Sequence, residues 1–102
     1  MIYLDYTANT PADPDVLDAY LAAERRYIAN PNSTHIAGQE ARAEMERVTQ
    51  SIAQHLGVQP AEIIYTSGAS EANNLALKGI AHASRHIGKH IISTQLEHSS
   101  VG

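Results

Sequence analysis

The sequence predicts an α/β fold built on parallel strands, and three observations carry that reading. The apolar segments run in the order helix, helix, strand, helix, strand, so the last three form a βαβ unit. A glycine turn, Thr66-Ser67-Gly68, joins the apolar run Glu62-Ile63-Ile64-Tyr65 to a helix-like run through Ala81. Ala41, Met45, Val48, Ile52 and Leu56 recur at helical spacing and mark an amphipathic helix. Two strands and three helices are only part of such a domain, because a parallel sheet needs both faces covered. The expectation is one incomplete domain over 1–102, with 1–33 holding an N-terminal segment and first helix. Residues 34–102 hold the second helix and the start of the sheet. The sequence stops just after a strand's C-terminal end, where open α/β sheets place ligands, so it reads as the beginning of something longer.

Each element follows from local chemistry. Ile2-Tyr3-Leu4 is a short extended segment, and Asp5 to Pro11 is polar and irregular. Asp13-Pro14-Asp15 is a helix start, with Asp13 as N-cap and Pro14 at the first helical position. Val16, Leu17, Tyr20, Leu21, Tyr27 and Ile28 then keep helical spacing. Asn30-Pro31-Asn32-Ser33 stops that helix, since the residue before proline avoids helical geometry. A second helix is expected from about Thr34 to Leu56, with Gly57 in the left-handed position after it. Glu62 to Tyr65 is expected as a buried strand, about Glu71 to Arg85 as a third helix, and Lys89 to Thr94 as a second strand.

Composition narrows the function classes. A chain of 102 residues buries only roughly 60–70% of its unfolded surface. It has five Tyr but no Phe or Trp, so a core of Ile, Leu, Val and Ala is thin. The net charge of −4 and the lack of a Lys/Arg block argue against nucleic acid as a partner. With no cysteine, disulfides, thiolate metal sites and a thiol nucleophile within these residues are excluded. No basic leader and no apolar run near membrane-spanning length is evident, which makes a cytoplasmic protein without a membrane partner the expectation.

The glycine turn is the leading candidate site. Strand, tight turn and helix N-terminus form an anion site, because the first helical N–H groups have no internal partner and the helix dipole adds positive charge. Gly68 admits close approach, and Ser70 offers a hydroxyl. No Gly-Lys-Ser/Thr follows, so this is not a nucleotide P-loop. An ordinary strand–turn–helix joint with Ser70 as N-cap fits the same residues. His98, after Glu97 and beyond the second strand, is placed to stack on a ring or move protons, or is a surface histidine. His82 and His86 would share a helix face, but Ala83 stands where zinc hydrolases carry a glutamate, so no metal site is assigned. Asp5, Thr7, Asn9 and Thr10 either line a polar pocket or cap the first helix.

Four segments in register resemble one family. Tyr3 to Pro11, Asn30 to His35 with the following Gly38, Glu62 to Ala76, and Lys89 to His98 are each similar to motifs of cysteine desulfurases. These are class V aminotransferase-like enzymes dependent on pyridoxal 5'-phosphate, and the resemblance covers essentially the whole chain. It implies the N-terminal portion of a fold type I large domain. It also implies a homodimer that removes sulfur from L-cysteine, leaves L-alanine, and passes sulfur on for iron–sulfur clusters or tRNA thiolation.

The resemblance assigns roles by position. Gly68, Ala69 and Ser70 would hold the cofactor phosphate, Ser70 standing where the family has Thr. His98 would stack on the pyridine ring and act in proton transfer, as a catalytic and cofactor-binding residue. Ala8, Asn9 and Thr10 are weaker candidates for the substrate pocket; Asn9 replaces a Thr, and Thr7 an Ala or Ser. The family's Schiff-base Lys, the Asp that partners the pyridinium nitrogen and the sulfur-accepting Cys match no residue here, since Lys78 and Lys89 fall elsewhere. These residues alone are therefore expected to be inactive. The alternative is a stand-alone phosphate-binding or subunit-interaction module.

Overall fold

Asp13 starts helix α1 (Pro14–Arg26) by accepting the Asp15 N–H on its side chain at 2.8 Å. Pro14 follows at the first helical position, where its missing N–H costs nothing. Arg25 and Arg26 sit in the last turn, favourably placed for the helix dipole. The computed structural model describes residues 1–101, which divide into two compact units, the first ending at Glu62 and the second starting at Ile63.

In the first unit, α2 (Ile36–Leu56) is capped by His35, whose Nδ1 accepts the Gly38 N–H at 3.2 Å. The chain leaves α2 through Gly57 at φ 68°, a left-handed conformation that suits glycine. A 3-10 turn, Pro60–Glu62, then packs against α2. The buried face of α2 is built from small residues. Gly38, Ala41 and Ala53 are its buried positions, with Ala41 4% and Ala53 1% exposed. Met45, Val48 and Leu56 of the expected stripe stay exposed. Segment 30–35 lies so close to Gly38 that no side chain fits there. Ser33 N–H donates to the Asn30 carbonyl, Asn32 N–H to the Asn30 side chain, and Arg42 Nε to the Pro31 carbonyl at 2.9 Å. On α1 no residue is buried, and Val16, Leu17, Tyr20 and Leu21 are all exposed.

The second unit is organised by α3 (Ala69–Ala83), two residues ahead of the expected helix at each end. The expected βαβ unit is not seen among the described residues. Glu62 closes the 3-10 turn, with its carboxylate accepting the Gln59 N–H at 2.7 Å, and residues 63–66 and 88–94 enter no strand ladder among the described residues. A strand exists only through a paired neighbour. Neither apolar run finds one here, so Ile64, Tyr65, Ile91 and Ile92 remain exposed. Residues 84–87 form turns closed by Ile87 N–H and Gly88 N–H on the Ser84 carbonyl.

Candidate functional site

Helix α3 begins without a side-chain cap. Its N-cap is Gly68, at φ 164° and ψ −177°, and the Gly68 carbonyl accepts the Ala72 N–H at 3.1 Å. The expected N-cap, Ser70, is instead the second residue of the helix. Among the described residues, the N–H groups of Ala69 and Ser70 and the Ser70 hydroxyl have no partner. The φ of Gly68 is extended and accessible to any residue, and a Cβ placed there would meet no heavy atom within 4 Å. Neither backbone geometry nor packing requires glycine at 68. The turn thus leaves two free amides, a free hydroxyl and open space side by side.

Glu71 closes the turn from its other side. Its carboxylate accepts the Ser67 hydroxyl and the Ser67 N–H, the latter at 3.1 Å. Those two bonds, the hydroxyl's first, hold the Glu71 carboxyl below the ordinary glutamate range. The charge is therefore spent on the residue before the cap and leaves the Ala69 and Ser70 amides uncovered. Thr66 Oγ1 donates to the Gly68 carbonyl at 3.3 Å, and Asn74 Nδ2 to the Ser70 carbonyl at 2.8 Å, so both flanks of the turn are tied. Sequence reasoning missed the part played by Glu71, although a Glu three residues past an N-cap is the pattern of a capping box.

His98 lies in the same unit, in a turn closed by the Val101 N–H on the His98 carbonyl at 2.9 Å. Its Nδ1 accepts the Ser100 N–H at 3.1 Å and lies 2.9 Å from the Ser100 hydroxyl. That hydroxyl also takes the Asn73 side-chain N–H of α3 at 2.8 Å, across 27 residues of sequence. No hydrogen bond joins His98 to residues 68–70 among the described residues. A cavity of about 670 Å³ between α3 and 91–101 is lined by Asn73, Lys78, Glu97 and Ser100, and neither His98 nor the 68–70 turn lines it.

Ala8, Asn9 and Thr10 belong to the first unit. They sit in an exposed turn in which the Ala8 and Asn9 N–H groups both reach the Asp5 carbonyl. Tyr3 holds that turn, its hydroxyl reaching the carbonyls of Asp5 at 3.0 Å and Asn9 at 2.9 Å. Thr10 Oγ1 donates to the Tyr6 carbonyl. The polar cluster is thus self-bonded through its backbone, and Asp13, outside it, caps α1. His82 lies in the last turn of α3 while His86 falls beyond its end, so the two do not share a helix face. Among the described residues, no three His, Cys, Asp or Glu side chains are grouped to hold a metal ion.

The family model described as Aminotransferase class-V matches residues 2–102. The chain belongs to the class-V aminotransferase family. It is 50% identical over 101 residues to the cysteine desulfurase of Homo sapiens, covering 98% of this chain and 22% of that protein. The mitochondrial cysteine desulfurase of Arabidopsis thaliana is 44% identical over 101 residues, with 98% and 22% covered. Cysteine desulfurase IscS of Dictyoglomus turgidum is 42% identical over 100 residues, with 98% and 25% covered. The chain thus spans about a quarter or less of the length of these curated relatives. No helix among the described residues is long and apolar enough to cross a membrane.

Proposed function

We propose that these residues are the phosphate-gripping segment of a pyridoxal 5'-phosphate-dependent cysteine desulfurase of fold type I, and that they do not catalyse alone. The observation that carries this is the open α3 N-terminus, with free Ala69 and Ser70 amides and a free Ser70 hydroxyl around a glycine that nothing in the chain requires. The residues fit the group. Charge-assisted donors at a helix start suit a phosphate dianion, and the one nearby carboxylate, Glu71, is engaged on Ser67. The names of the three relatives above supply the reaction.

When bound, the cofactor supplies an electron sink for chemistry at the substrate α-carbon. Residues of this chain grip and orient. Gly68 would leave room, Ala69 and Ser70 would hold the phosphate, and His98 would stack on the ring and serve in proton transfer. L-cysteine and an enzyme thiol would give L-alanine and an enzyme persulfide, with the cysteine C–S bond broken and no outside oxidant needed. The thiol and the cofactor-bearing lysine belong to other residues, since this sequence has no cysteine. Residues 62–65 and 89–94 would become strands by pairing with further segments of the sheet. A homodimer is part of the reading, as the family resemblance implies. The sulfur acceptor would be a cluster scaffold or a tRNA-thiolation partner. The cytoplasm is the compartment proposed; the Arabidopsis thaliana and Drosophila melanogaster relatives are named as mitochondrial cysteine desulfurases.

The test uses the full-length protein with pyridoxal 5'-phosphate, L-cysteine and a thiol reductant. Equal amounts of alanine and sulfide are expected, with phosphate affinity reduced about tenfold in Ser70→Ala, the loss of one charge-assisted hydrogen bond. No sulfide from cysteine, or cofactor binding indifferent to Ser70→Ala, overturns the proposal.

A further inference from the structure

Asn73 is the fifth residue of α3, and its side chain reaches the turn that carries His98. Hydrogen-bond direction in this cluster follows from what each atom is able to do. The Ser100 backbone N–H only donates, so His98 Nδ1, at 3.1 Å, must accept. The neutral ring then carries its proton on Nε2. Asn73 Nδ2 also only donates, so the Ser100 hydroxyl accepts from it at 2.8 Å. That leaves the Ser100 hydroxyl proton to point at His98 Nδ1, 2.9 Å away. Donation runs one way, from Asn73 through Ser100 to His98. Asn73 and Ser100 are both partly buried, while His98 is exposed, so the anchor is more sheltered than the ring it holds.

We propose that the turn at Ser100 positions His98: the Ser100 backbone N–H locks the ring in the Nε2–H tautomer and the Asn73–Ser100 side-chain bond fixes its orientation, so that Nε2–H is the group offered to cofactor or substrate. This rests on the reading of His98 as a residue that serves the desulfurase reaction. Second partners on the far nitrogen of a histidine set which nitrogen is available for chemistry. Nε2 has no partner among the described residues, in keeping with a group held ready for one.

The experiment is nitrogen NMR of the full-length protein labelled with 15N-histidine, at alkaline pH where imidazoles are neutral, beside steady-state kinetics with L-cysteine. In the wild type, His98 is expected as a single Nε2–H tautomer. Asn73→Asp places an acceptor where the donor stands and turns the Ser100 hydroxyl away. The tautomer, held by the Ser100 backbone N–H, should survive, while kcat should fall about tenfold with KM unchanged as the ring loses its fixed orientation. Ser100→Ala should lower kcat in the same way if Asn73→Asp does not fold, Ser100→Thr should restore it, and Ser100→Pro, which removes the backbone N–H, should turn the single tautomer into a mixture. A merely structural tie between α3 and the turn would change stability and leave kcat alone. A mixed or Nδ1–H wild-type ring, a single tautomer that persists in Ser100→Pro, or full kcat in Asn73→Asp and Ser100→Ala overturns the proposal. The tautomer is read without turnover, so a protein that fails to desulfurate cysteine would sink the functional reading while the lock is still decided.

Discussion

A Cβ on Gly38 would lie 2.5 Å from the Ser33 carbonyl oxygen and 2.9 Å from that of Asn30. Both are backbone atoms, so neither moves aside as a side chain would. The first turn of α2 and the segment 30–35 fit together only through this missing methylene. Gly38→Ala is therefore expected to destabilise the protein by about 1–3 kcal/mol, the range for overpacking a tight contact. Urea unfolding of the full-length protein measures it, and an unchanged midpoint would show that this contact does not hold the segment.

His35 is expected to matter as an acceptor. Its Nδ1 takes the Gly38 N–H at the start of α2. His35→Ala should cost about 1 kcal/mol, as for loss of an N-cap, and His35→Asn should recover most of it because Asn supplies an acceptor at the same place. Equal unfolding midpoints for the Ala and Asn variants would contradict this.

Gly68→Ser should separate folding from phosphate binding. A Ser at the N-cap offers the α3 amides an intramolecular acceptor, worth a few tenths of a kcal/mol over glycine. The same oxygen competes for the amides a phosphate needs. Thermal stability should rise slightly while pyridoxal 5'-phosphate affinity falls about tenfold or more. Titration calorimetry beside a melting curve checks both, and affinity that is unchanged or improved refutes the phosphate role of this turn.

Glu71 should give the α3 start a pH dependence of defined sign. Its carboxyl is held low by the Ser67 hydroxyl and N–H. A depressed folded-state value means the contribution is fully present above the ordinary glutamate range and is lost as pH falls through the lower folded value. Glu44 is also held low, chiefly by its hydrogen bond from Arg47, so global acid unfolding mixes the two sites. Amide exchange at Ser67 isolates Glu71. The Ser67 amide should lose protection on acidification, and Glu71→Ala should lack protection at neutral pH and show no acid step. Persistent Ser67 protection in Glu71→Ala would mean the carboxylate does not hold it.

Local chemistry along the chain was enough for much of what is found. Asp13-Pro14 sets the start of α1, Gly57 the end of α2, and Ser67-Gly68 the start of α3, each within one or two residues, because caps and glycine turns act on their own neighbours. The family is legible for the same reason, being written in four short motifs. Tertiary structure decided what those motifs touch. That α2 buries Gly38, Ala41 and Ala53 rather than Met45, Val48 and Leu56 depends on what packs against it, the 30–35 segment at Gly38 and the 3-10 turn Pro60–Glu62, which helical periodicity does not encode. The strands at 62–65 and 89–94 were read from apolar runs, yet a ladder needs a partner chain segment, and that is a property of three dimensions. Asn73 and Ser100 stand 27 residues apart with nothing in their spacing to link them. The His98 tautomer follows from a local bond, the Ser100 N–H two residues on, but only the return of the chain past α3 brings the donor-only Asn73 amide to the hydroxyl beside that ring.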